Sequence, residues 1–138
     1  MDIEALRRYC LQFPHTTENV QWGYDLCFKV DGKLFLVTPL EPAPVRLSFK
    51  CSPENFAELC ERPGVRPAPY MARAHWVTIE RWDILRARQF EDELRRANEL
   101  IYAKLPKRTK TILAMPEKER NKIIRESRKR LAEKAKKD

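Results

Sequence analysis

Apolar residues recur along this chain in several rhythms, and each rhythm predicts a different element. Ile3, Leu6, Cys10 and Phe13 fall at helical spacing; Asp2 can cap that run and Pro14 stops it. Residues 26–37, LCFKVDGKLFLV, instead hold two short apolar runs around Asp31-Gly32, a pair suited to a type I′ hairpin turn because both central positions need positive φ. A two-residue turn there puts Leu26, Phe28, Val30, Phe35 and Val37 on one face with Lys33, and Cys27, Lys29, Leu34 and Leu36 on the other. Residues 45–50, VRLSFK, alternate strictly. Val45, Leu47 and Phe49 point one way and Arg46, Ser48 and Lys50 the other, as in a strand with one dry and one wet face. Ser52 and Pro53 suit the N-cap and N1 of a second helix, with Phe56, Leu59 and Cys60 along one side and Pro63-Gly64 after its end. HWVTIERW, from His75, reads as a further strand.

The clearest helix spans 84–105, where Phe90, Leu94, Ala97, Ile101 and Leu105 keep one face apolar. Glu91 and Asp92 each stand four residues before an arginine, Arg95 and Arg96, the orientation that favours ion pairing along a helix. Beyond Pro106 the apolar content falls. Pro116, Glu117 and Glu119 can start one more helix, but only Ile123, Ile124, Leu131 and Ala135 offer burial, so that helix is expected to be marginal and to fray towards the C-terminus. Strands grouped between helices, without βαβ alternation, predict an α+β fold: an antiparallel β-sheet with helices packed on one face, plus a basic C-terminal helical extension. The expected division is an α+β domain over 1–106 and a basic, partly helical extension over 107–138.

Charge sharpens that division. The net charge of the 138 residues is +8. Residues 1–103 carry fourteen Lys and Arg against fifteen Asp and Glu, whereas residues 104–138 carry fourteen against five. The basic character therefore belongs to the extension, where it points to a polyanionic partner, with DNA as the candidate. Its candidate contacts are Lys107, Arg108, Lys110, Arg125, Arg128 and Lys129. A second candidate set lies on the hairpins: Lys29, Lys33, Arg46 and Lys50. The plainer reading of both sets is ordinary solvated surface. The extension has no Trp or Phe to seat in a membrane interface, and the chain has no run of about 18 apolar residues, so no membrane association is expected.

Chemistry is sparse. Cys10, Cys27, Cys51 and Cys60 form no C-x-x-C pair, so reduced, mostly buried thiols are expected, with no metal site. No catalytic or phosphate-cradling motif occurs, and three glycines leave little to build one from. The expectation is a non-enzymatic protein with no catalytic residues and no cofactor, cytoplasmic because the N-terminus lacks a signal-peptide layout. PAPYMARAHW, residues 67–76, has two readings. It is either the structural entry into the following strand or a surface patch in which Tyr70, Arg73, His75 and Trp76 meet a ligand or partner protein.

Several short marks occur in a telling order. Phe13-Pro14 and Glu18 precede the first strand, followed by Gly32, Lys33 and Phe35 in the hairpin. Lys50, Cys51, Pro53 and Glu54 enter the second helix; Tyr70, Arg73 and Trp76 follow; and Leu105-Pro106-Lys107 comes after the long helix. Together these marks resemble the MmcQ/YjbR family over about residues 5–109. The resemblance implies a CyaY-like α+β fold in which two β-hairpins form a "double wing", a feature for which members are labelled DNA-binding. It implies no catalytic residues. Two positions depart from the family: His15 stands where glycine usually follows Phe-Pro, and Ala72 where many relatives have asparagine. A monomer is the expected state.

Overall fold

A computed structural model describes residues 1–69 and 71–137. In chain order the elements are α1 (Ile3–Cys10), β1 (Thr16–Gln21), β2 (Asp25–Val30), β3 (Lys33–Pro39), β4 (Leu47–Lys50), α2 (Pro53–Cys60), β5 (Val65–Pro67), a 3-10 turn (Ala72–Ala74), β6 (Trp76–Ile79), α3 (Ala87–Ala103), α4 (Lys107–Leu113) and α5 (Glu117–Lys137). The strands form one antiparallel sheet in the order β1-β2-β3-β4-β6-β5, so the fold is α+β. The chain divides into two compact units, Met1–Lys104 and Leu105–Asp138.

Local chemistry accounts for the element boundaries. Asp2 caps α1 by accepting the Ala5 backbone N–H at 2.8 Å, and Ser52 caps α2 by accepting that of Asn55 at 3.2 Å. At the head of α3 the Arg86 backbone N–H donates to Gln89 Oε1 at 3.0 Å, which supplies one half of a capping box. Along α3 the ion pairs differ from those expected: Arg95 pairs with Asp92 and Glu99, and Arg96 with Glu93. Two strands carry no period-2 apolar signal and were not expected. β1 reads TTENVQ and lies at one sheet edge; β5 is three residues long, ends in Pro67 and lies at the other, where a missing N–H is tolerated.

The β2–β3 hairpin turns at Asp31 (φ +49°) and Gly32 (φ +76°), as the sequence predicts. Its faces are not those of simple alternation. Val30 pairs with Lys33 and Lys29 with Leu34, but the register then slips and Phe28 pairs with Leu36 and Leu26 with Thr38. The extra residue, Phe35, forms a β-bulge. Leu36 and Thr38, not Val37, therefore share the face of Phe28 and Leu26, and both are fully buried. Phe35 is buried too, its ring 6.4 Å from those of Phe13 and Phe28. Around this cluster the core adds Leu6, Leu47, Phe49, Val77 and Ile79, closed by Phe90, Leu94 and Ala97 of α3. Arg7 fixes α1 to β1 with a two-pronged pair to Glu18, at 3.0 and 2.6 Å.

In the second unit α4 and α5 pack on each other, α4 being an element that the falling apolar content had hidden. Ile112, Met115 and Ile123 line a cavity of about 370 Å³ between them. Helix α5 runs unbroken to Lys137. Ile123 and Ile124 are half-buried as expected, but Leu131 is 67% exposed and Ala135 is exposed.

His15 adopts φ +60°, which explains why glycine suits this position. A side chain in the left-handed region costs about 1–2 kcal/mol, partly offset by the greater chain entropy of glycine. His15→Gly should therefore stabilise the protein by about 0.5–1 kcal/mol, read as a higher urea midpoint at unchanged slope; a lower midpoint would show that the His15 side chain contributes more than its backbone costs.

Candidate nucleic-acid interface

The hairpin cations do not form one surface. Lys33 is exposed at the β2–β3 turn and shares a face with Val30, whereas Lys29 is half-buried and shares the opposite face with Leu34. Arg46 spends part of its guanidinium on the Ala43 carbonyl, at 3.1 Å. Lys50 is buried, only 7% exposed, and its Nζ donates to the Ala74 carbonyl. The expected wet face holds only in part: Arg46 and Ser48 are half-buried, whereas Lys50, at the end of β4, lies beside buried Trp76 of β6 and under the turn that precedes it. Burial pushes the Lys50 amine below its ordinary pKa, helped by the nearby Lys104 cation. Ser48, on the same face, is half-buried and shares a 2.8 Å hydrogen bond with Thr78.

The loop before β6 is held by its own backbone. Ala74 N–H donates to Met71, His75 N–H to Ala72 and Ala68 N–H to Trp76, while Cys51 N–H donates to His75 across the sheet end. His75 has φ +60°, and its ring meets Phe56 edge-on with centroids 5.4 Å apart. Trp76 is 4% exposed, which removes it from any surface patch: as the first residue of β6 it packs within the sheet. Arg73 is exposed and His75 half-buried; Tyr70 lies outside the described residues.

The second unit arranges its charge differently. In α4, Lys107 and Arg108 are exposed and Lys110 is half-buried. In α5 the positions 118, 122, 125, 129 and 136 follow helical spacing, so Lys118, Lys122, Arg125, Lys129 and Lys136 form one stripe, and all five are exposed. Half-buried Ile123, Ile124 and Ser127 lie on the other side of the helix. Lys122, Arg125 and Lys129 border a common surface depression with Glu126. Of the residues expected at this interface, Arg125 and Lys129 fall on the stripe and Arg128 falls beside it. Lys118, Lys122 and Lys136 were missed, although their spacing was visible in the sequence.

A polar cluster in the first unit also escaped the sequence. Glu93 of α3 is buried and accepts from Asn55 Nδ2 of α2 and, at 3.4 Å, from Arg96. Burial raises its pKa above the ordinary carboxylate value. Burial likewise pushes the thiols of Cys10 and Cys51 up to about 12, so both are protonated at neutral pH and unfit as nucleophiles. All four cysteines are free. Among the described residues no cluster of three or more His, Cys, Asp or Glu is placed to hold a metal ion, and no helix is long and apolar enough to cross a membrane.

The YjbR family model matches residues 11–100. The chain belongs to the YjbR family. Among solved structures, a Deinococcus radiodurans protein with a DUF419 domain is similar at 27% identity and TM-score 0.75, covering 84% of this chain and 90% of its own. A Pseudomonas syringae protein shares the fold at 20% identity and TM-score 0.59, covering 73% of this chain and 99% of its own. No curated protein matches. The YjbR match includes the hairpins, the Lys50 region and most of α3, but it ends before α4, so the cationic stripe of α5 lies outside the YjbR region.

The buried Glu93 makes a stability prediction. Its pKa is higher in the folded protein than in the unfolded chain, so the folded form holds its proton more tightly. The associated stability is fully present below pH 4.5 and is lost as pH rises through the folded pKa. Glu93→Gln removes that titration, so denaturation midpoints of the variant between pH 4 and pH 7 should vary less than those of the wild type; an undiminished pH dependence would exclude Glu93 as its source.

Proposed function

We propose that this YjbR-family protein is a non-enzymatic, monomeric, cytoplasmic DNA-binding protein that contacts phosphates through α5. One observation carries the reading: Lys118, Lys122, Arg125, Lys129 and Lys136 form an exposed stripe, interrupted only at Ala132 and Glu133, opposite the half-buried side of the helix. At about 1.5 Å rise per residue, Lys118 to Lys129 covers roughly 16 Å, which matches several successive phosphates along a duplex. Lysine on a helix ridge neutralises backbone charge without reading bases, so the binding is sequence-independent. Lys107 and Arg108 of α4 extend the positive field. Hairpin residues play no concerted part in this reading, since Lys50 is buried and Arg46 is engaged with the Ala43 carbonyl. The loop alternative has lost Trp76 and has no observation in its favour.

Fluorescence anisotropy of labelled duplex DNA against the full chain, run as a salt titration, tests this. Five phosphate contacts give a log–log slope of about −4 to −5. Replacing Lys122, Arg125 and Lys129 by Gln should reduce that slope by about one per charge removed, while Lys33→Gln should leave it unchanged. Equal slopes for the wild type and the triple variant, or no binding near physiological salt, would sink the proposal.

A further inference from the structure

We propose that a cavity of about 250 Å³ in the first unit binds a small organic carboxylate, with Lys50 and Ser52 holding its anionic end and Leu100 and Ala103 packing on its short hydrocarbon end. This site is separate from the α5 stripe and independent of DNA binding.

The placement of charge comes first. Two charged side chains are buried among the described residues, Lys50 and Glu93, and both line this one cavity. Buried ionisable groups that converge on a cavity are a recurring mark of binding sites. Lys50 also lacks the partner that would make its burial easy. Its amine donates to a neutral carbonyl, that of Ala74, and the charged side chain acting on it is another cation, Lys104. A buried cation without a counter-charge is costly, and a bound anion would supply that charge.

Hydrogen-bonding capacity then decides the sign of the ligand. Two carboxylates line the cavity and both are engaged: Glu93 accepts from Asn55 and Arg96, and Glu99 accepts from Arg95 at 3.5 Å. Ser52 Oγ accepts from the Asn55 backbone, which leaves its hydroxyl hydrogen to donate. Lys50 has three N–H donors and gives one to Ala74. Around Lys50 and Ser52 the spare capacity is donor capacity, which suits a carboxylate and not an ammonium. Leu100 and Ala103 supply an apolar wall, which favours an organic anion over phosphate, and the volume suits a small ligand.

The test uses the full chain labelled with ¹³C at the lysine side chains and follows the Lys50 Cε signal by NMR. Propionate should shift it saturably, with a dissociation constant in the millimolar range expected for so small a ligand. Propionamide, of nearly the same shape but uncharged, should not. Leu100→Trp fills the cavity while keeping its charges, and should weaken propionate binding by about tenfold or more with an unchanged far-UV spectrum. No saturable shift in the wild type, an equal response to propionamide, or an equal or larger response to inorganic phosphate would each overturn the proposal. The wild-type comparison needs no variant, so it decides the matter even if Leu100→Trp does not fold.

Discussion

Strand β4 is four residues long and has a hydrogen-bonded neighbour on each side. Much of the first unit depends on that arrangement. Leu47 and Phe49 meet Ile79 and Val77 across the β4–β6 ladder, and Phe49 meets Leu36 across the other, so two ladders bring apolar side chains to one buried layer. On the other face Ser48 stays half-buried, but pairing with β6 sets Lys50 beside Trp76 and brings the turn before β6 close enough for Ala74 to receive the Lys50 amine and for His75 to receive the Cys51 N–H. The turn before β6 and the cavity beside α2 are thus both consequences of where β4 sits.

Much of this was legible in the sequence, for physical reasons that differ by element. The helices α1, α2 and α3 announced themselves through caps and through 3.6-residue spacing, and the β2–β3 turn through Asp31-Gly32. What failed to show were properties set by neighbours distant in the chain. The alternation of VRLSFK states that Arg46, Ser48 and Lys50 share a face; it cannot state that Trp76 and the turn before β6 come to lie beside Lys50 and bury it. A bulge at Phe35 inverts the parity of everything after it, and no local signal distinguishes it from a regular strand. Strand β1 has too little apolar content to be noticed and exists because β2 offers it an edge.

The site residues divide along the same line. The residues that share the outer ridge of a helix follow from spacing, so the α5 stripe could have been read in full from the positions of its lysines and arginine. The cavity could not, since it needs β4, α2 and α3 to be brought together. The two units carry charge in different ways: the YjbR region has buried charge around a small pocket, while the extension has exposed charge on an open ridge.

The two margins of the sheet have a further implication. One margin, β1, presents Thr17 and Asn19 to solvent along a polar strand; the other, β5, is three residues long and ends in proline. Unpaired strand margins are where sheets recruit strands from other chains and begin to grow into fibres, and polar, abbreviated or proline-bearing margins are poor templates for that growth. The polarity that hides β1 from a hydrophobic pattern search thus also guards the sheet against aggregation, which a protein carrying this much apolar sheet interior must resist while it is being synthesised and folded.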